Sequence, residues 1–152
     1  MLLLDTNVLS EALRPAPEAA VVRWLDDNFS SSAISSITVF ELSVGVAMLP
    51  IGRRRSTLER AIERLVRRFD VRIYGFDRLA AVSAAELFET ARNDGLPLHQ
   101  VPAKLADLQI AGIARAYDLT LATRNTADFE GFGLELVNPW SAPSSGGSAK
   151  SD

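Results

Sequence analysis

Met1-Leu2-Leu3-Leu4-Asp5-Thr6-Asn7 opens the chain with a short continuous apolar run that stops at an acid. A strand buried on both faces reads as such a run rather than as an alternation, so residues 1–4 are expected to form an interior strand, with Asp5 at its C-terminal end and Thr6-Asn7 in the following turn. Leu119-Thr120-Leu121-Ala122-Thr123 repeats the pattern late in the chain and runs into Arg124-Asn125. Shorter strands are expected at 33–36 and 134–137, and Val71-Arg72-Ile73-Tyr74-Gly75-Phe76 alternates as another.

Helical periodicities fill the intervals. After Pro15 and Pro17, Glu18 to Asp27 has apolar positions at 21, 22, 24 and 25. Ile37 to Leu49 is apolar almost all round and ends at Pro50 and Gly52, which reads as a buried helix. Arg53 to Phe69 carries one apolar stripe (58, 62, 65, 66, 69) on a charged background. Asp77 can cap a helix that Asp94-Gly95 closes, and Pro102 opens another to about Tyr117. Strands alternating with helices imply a largely parallel α/β sheet with helices on both faces.

The 152 residues are close to one domain, and a hydrophobic fraction of 47% is enough for a core. The domain is expected to occupy residues 1–140, because the Ser/Gly-rich stretch 141–152 lacks apolar surface to bury and reads as a disordered tail. With no cysteine and a single histidine, His99, thiol chemistry, thiolate metal sites and a Ser-His-Asp triad are excluded or starved of ligands. No apolar run approaches the roughly 20 residues that span a bilayer, and no basic leader is present, so a cytoplasmic protein without a membrane association is expected. The net charge of −3 argues against nucleic-acid binding through global positive charge, although 7 of the 14 arginines fall between Arg53 and Arg68.

Two acids stand where an apolar core would not place them. Glu41 is the only charged residue between Ala33 and Gly52, and its helical neighbours are Ile37, Thr38, Val44 and Gly45. Asp107 shares its helical stripe with Ala103, Ile110, Ala111 and Ala114, at about 100° per residue. Ordinary alternatives are a salt bridge from Glu41 to a distant arginine and a hydrogen bond from Asp107 to a loop amide. Asp5 follows the first strand, and Asn125 and Asp128 follow the strand at 119–123. Ligands gather at the C-terminal edge of parallel strands, so these groups could converge on one crevice. Carboxylates meeting there with no neutralising lysine would repel one another, and a hard cation, Mg²⁺ or Mn²⁺, resolves the repulsion. Such an ion shares its shell with phosphate oxygens and lowers the pKa of a bound water, which points to phosphoryl chemistry.

Taken in order, Leu2-Leu3-Leu4-Asp5-Thr6-Asn7-Val8-Leu9-Ser10-Glu11, Val39-Phe40-Glu41-Leu42, Ala106-Asp107-Leu108-Gln109-Ile110-Ala111-Gly112 and Leu121-Ala122-Thr123-Arg124-Asn125-Thr126-Ala127-Asp128-Phe129 resemble the acidic motifs of PIN-domain ribonucleases. The closing Asn138-Pro139-Trp140 is similar to the FitB-like branch of the VapC toxins. The resemblance implies a three-layer α/β/α sandwich and an Mg²⁺-dependent endoribonuclease, with Mn²⁺ able to substitute. It further implies the toxin of a type II pair, dimeric and silenced by a VapB-like antitoxin, acting on single-stranded or looped RNA, tRNA among the candidates. Carried over residue by residue, it makes Asp5, Glu41, Asp107 and Asp128 the metal-binding and catalytic acids. Thr6, Asn7, Thr123, Arg124 and Asn125 become substrate or supporting groups. In relatives the fourth acid stands at either of two places; here Asn125 is an amide and Asp128 carries the charge.

The stretch 96–106 departs from the pattern by its length and holds His99, which reads as a surface residue. Arg60, Arg64 and Arg68 share one stripe and could meet phosphates or only solvent, with Glu63 placed to pair with Arg67. Trp24 and Trp140 read as anchors. Two other functions compete. A phosphotransferase of the haloacid dehalogenase type would use Asp5 as nucleophile, but that chemistry wants an acid where Asn7 stands and a well-placed lysine, and the chain's only lysines are Lys104 and Lys150. A non-enzymatic acidic binding module would have no use for four intact acids.

Overall fold

The computed structural model describes residues 1–95 and 101–141, so the readings made for His99 and for the tail from 142 onward lie outside the described residues. Among the described residues five strands form one sheet: β1 (Leu2–Leu4), β2 (Ser32–Ser35), β3 (Ile73–Tyr74), β4 (Thr120–Ala122) and β5 (Leu136–Val137). Their order is β3-β2-β1-β4-β5 and every pairing is parallel. Leu3 of β1 lies between Ala33 of β2 and Leu121 of β4. The chain builds outward from β1 in one direction through β2 and β3, then returns to its other side with β4. That reversal leaves a crevice beyond the C-terminal ends of β1 and β4.

Among the described residues six α-helices cover the two faces: α1 (Thr6–Ala12), α2 (Ala19–Asn28), α3 (Ser36–Ala47), α4 (Arg53–Phe69), α5 (Arg78–Asn93) and α6 (Val101–Ala116). The opening run explains itself here. Leu3 belongs to the cluster made with α5 and α6, around Leu87, Ile110 and Ile113. Leu4 faces the other way, into the cluster with Val8, Leu42, Ile62 and Phe69. Both leucines are fully buried because successive side chains of a strand point to opposite faces and each face is covered. The architecture is the three-layer α/β/α sandwich expected.

Three expectations need correction. Thr6-Asn7 is the first turn of α1 rather than a loop: Asp5, extended at φ −70°, ψ 157°, takes the N-cap position and accepts the Thr6 amide. A helix of 7 residues is too short to declare itself by apolar period. The alternation at 71–76 yields only Ile73–Tyr74 as strand, because Asp70–Arg72 winds into a 3-10 turn after Asp70 adopts φ 40°. Glu63 and Arg67 form no ion pair among the described residues, and Arg68 instead lies 4.1 Å over the Phe29 ring.

The α5–α6 contact is unusually close. A Cβ at Gly112 would lie 2.6 Å from both the Ala80 carbonyl oxygen and the Ala84 Cβ, so only glycine lets α6 approach this far. This packing sets the height at which α6 presents its opening turns to the crevice.

Candidate functional site

Asp5 stands at the end of β1, where its amide still donates to the Ala122 carbonyl at 2.9 Å and holds it against β4. The residue is only 7% exposed. Oδ1 accepts the Thr6 amide at 2.7 Å, and Oδ2 accepts Asn7 Nδ2 at 2.6 Å and Thr123 Oγ1 at 2.7 Å. Burial pushes its pKa up, the nearby Glu41 adds to that, and these three donors hold it down.

The donors are themselves held. Asn7 Oδ1 accepts the Arg124 amide at 3.1 Å, and Thr123 Oγ1 accepts both Asn7 Nδ2 and the Asn125 amide at 3.1 Å. Thr6, Asn7, Thr123, Arg124 and Asn125 therefore form one net around Asp5, the last two through their backbone. The Arg124 guanidinium lies 5.2 Å over the Trp140 ring, and Asn125 is exposed.

Glu41 reaches the same place from α3 and accepts the Thr6 hydroxyl on Oε2 at 2.5 Å. The arginine salt bridge held open for it is not formed among the described residues; a threonine from α1 takes that role. Thr6 thus donates its amide to one acid and its hydroxyl to another.

Asp107 lies on α6 and Asp128 in the 3-10 turn Thr126–Asp128 after β4. The Asp107 pKa is raised to about 6, first by burial and then by the negative charges of Asp128, Asp5 and Glu41, against the attraction of Lys104. Asp107 thus feels the other three acids although the four come from different segments of the chain.

The expectation that no lysine neutralises them is overturned. Lys104, one turn before Asp107 on α6, hydrogen-bonds Asp128 Oδ1 through its ammonium and stands 3.8 Å from Asp107 Oδ2. The i,i+3 spacing of Lys104 and Asp107 was the signal that could have found it. A further buried acid, Glu11, is spoken for: it accepts the Glu18 amide at 2.8 Å and Arg14 Nη1 at 3.0 Å, which close the turn between α1 and α2. Both contacts hold its carboxyl below the usual range.

Among the described residues no three acids are gathered closely enough to chelate an ion as they stand. The chemistry of the donor set nevertheless fits a hard cation, since every candidate ligand is a carboxylate oxygen and an ammonium already bridges two of them.

Beside this cluster runs a cavity of 790 Å³ between α1, α3 and α4, which shares Thr6 and Glu41 with it. Leu42, Val46, Leu58 and Ile62 make it apolar, and Arg14, Arg53 and Arg54 add positive charge. On the outer side of α3, Phe40, Val44 and Met48 are 65%, 40% and 81% exposed at helical spacing.

The PIN domain model matches residues 2–132. The chain is 37% identical to the VapC ribonuclease Y4jK of Sinorhizobium fredii, with 92% of this chain and 98% of that protein covered. It is 39% identical to the toxin FitB of Neisseria gonorrhoeae, with 92% and 99% covered. The crystal structure of FitAcB from Neisseria gonorrhoeae superposes with a TM-score of 0.84 at 38% identity, covering 93% of this chain and all 100% of that one.

Proposed function

The chain belongs to the PIN-domain family, and from that premise we propose that it is a divalent-metal-dependent endoribonuclease acting as the toxin of a VapBC-type pair. The observation that carries this reading is the placement of four acids at the C-terminal edge of the sheet, Asp5 and Glu41 tied through Thr6 and Asp107 and Asp128 through Lys104. Carboxylates from four segments brought to one edge of the sheet repel one another, and a divalent cation relieves that repulsion.

In this reading the four acids hold Mg²⁺ or Mn²⁺, and the bound ion supplies an activated water and charge stabilisation at a phosphodiester. Asn7 and Thr123 keep Asp5 Oδ2 aimed and its charge stabilised, and Thr6 fixes Glu41 relative to Asp5. RNA is favoured as substrate by the ribonuclease among the relatives, and single-stranded or looped RNA, tRNA included, is the form whose backbone can enter a crevice. The phosphotransferase reading lacks its general acid: Asn7 stands where that acid is needed and donates to Asp5 Oδ2.

An antitoxin partner has its support in the cavity between α1, α3 and α4. An antitoxin segment with apolar and acidic side chains would match its leucines and arginines and, through Thr6 and Glu41, end against the acids. A homodimer has its support in the exposed stripe Phe40-Val44-Met48, which a second copy can cover with the same stripe.

The test is cleavage of labelled single-stranded and structured RNA in Mg²⁺, Mn²⁺ or chelator, beside Asp107→Asn purified identically. Metal-dependent cleavage absent from the variant is expected. Equal cleavage by both proteins, or metal-independent cleavage, would overturn the assignment.

A further inference from the structure

We infer that Lys104 is the resident counter-ion of the acid cluster, competing with a divalent cation for Asp107 and Asp128; the inference rests on the metal-site reading above. One ammonium spans two acids that reach the site from different elements, α6 and the turn after β4. No other basic side chain pairs with these acids among the described residues: Arg124 lies over Trp140, and Arg14 is taken by Glu11.

An ammonium on Asp128 Oδ1 and near Asp107 Oδ2 offsets the negative charge that attracts a divalent cation, and the two cations repel across the shared carboxylates, so the ion binds more strongly once the Lys104 head group withdraws. Lysine suits such a role, because its compact charge sits on a flexible four-carbon stem and can withdraw without moving the backbone, whereas a bidentate arginine would bind the carboxylate more firmly. The Lys104, Asp107 and Asp128 side chains are 28%, 29% and 36% exposed, so water screens the pair only in part.

Two consequences of opposite sign follow. Removing the ammonium leaves the acids freer for a divalent ion, and it also leaves their mutual repulsion without relief when no ion is bound. A residue with a purely structural role would not tighten ion binding while weakening the ion-free fold.

The experiment compares the full chain with Lys104→Met, Lys104→Arg and Asp107→Asn. It reads Mn²⁺ affinity from the electron paramagnetic resonance signal of free Mn²⁺ at neutral pH and low salt, and the melting temperature in chelator. Lys104→Met is expected to bind Mn²⁺ roughly three- to tenfold more tightly and to melt lower in chelator, with Lys104→Arg no tighter than the unmodified chain. Lys104→Gln serves if methionine disturbs packing. Mn²⁺ affinity unchanged or weakened in Lys104→Met and Lys104→Gln overturns the inference, as does an unchanged or raised melting temperature in chelator. Absence of Mn²⁺ binding by the unmodified chain overturns the metal reading itself, whereas binding lost in Asp107→Asn but indifferent to Lys104 overturns only the role given to the lysine.

Discussion

Thr123 Oγ1 donates a 2.7 Å hydrogen bond to Asp5 Oδ2, joining the ends of two adjacent parallel strands across 118 positions of sequence. The hydroxyl proton goes to the carboxylate and the oxygen's lone pairs accept Asn7 Nδ2 and the Asn125 amide, so every bonding capacity of the Thr123 hydroxyl is used. Thr123→Val keeps the shape and removes all three contacts. Asp5 should then ionise less readily, and Mn²⁺ affinity or RNA cleavage should fall roughly 10- to 100-fold without loss of the fold, with Thr123→Ser close to the unmodified chain. Titration of Mn²⁺ and single-turnover cleavage check this; an unchanged valine variant would count against it.

The raised pKa of Asp107 gives a pH dependence with a definite sign. Its carboxyl titrates at about 6 in the folded chain against 3.8 ordinarily, so the folded state holds the proton more tightly than the unfolded state. The corresponding stability is fully present below about pH 4 and is lost as pH rises through about 6. Asp107→Asn cannot lose it. In chelator the variant should gain on the unmodified chain between about pH 4 and pH 7, by roughly 2 kcal/mol at most once partial exposure is discounted. Urea unfolding at a series of pH values measures the difference, and parallel curves would refute the prediction.

Gly112 tests the packing that positions α6. An added Cβ meets a backbone oxygen and a methyl carbon at 2.6 Å, neither of which can turn aside. Gly112→Ala should destabilise the chain by about 1–3 kcal/mol, read from urea melts. Gly131, with nothing within 4 Å of its Cβ position, serves as the control site.

The exposed stripe of α3 bears on assembly. If a second copy covers Val44 and Met48, Val44→Asp combined with Met48→Asp should convert a dimer into a monomer by light scattering, with an unchanged circular dichroism spectrum. A monomeric unmodified chain, or a double variant that stays dimeric, would dismiss this face as the interface.

Some of the site was legible because its logic is local. A lone acid on an otherwise apolar helix contradicts its surroundings, so Glu41 and Asp107 announced themselves by their neighbours alone, and Asp5 by ending a buried run. What those acids touch was not legible. The sequence offers Glu41 a distant arginine, whereas its partner is the Thr6 hydroxyl, brought close by a helix too short to show an apolar period. Lys104 was visible as a residue but not as a ligand of Asp128, 24 positions away.

The alternation of apolar strands and amphipathic helices, the double burial of Leu3 and Leu4, and the presence of acids at strand ends follow from residue type and period, which act over a few positions. The pairing of Glu41 with Thr6, the net from Thr123 to Asp5 and the ammonium between two carboxylates depend on which strands become neighbours and how closely α6 packs on α5. Those are long-range outcomes. They arise because side chains far apart in sequence are brought together only when the whole sheet and both its helical layers are in place.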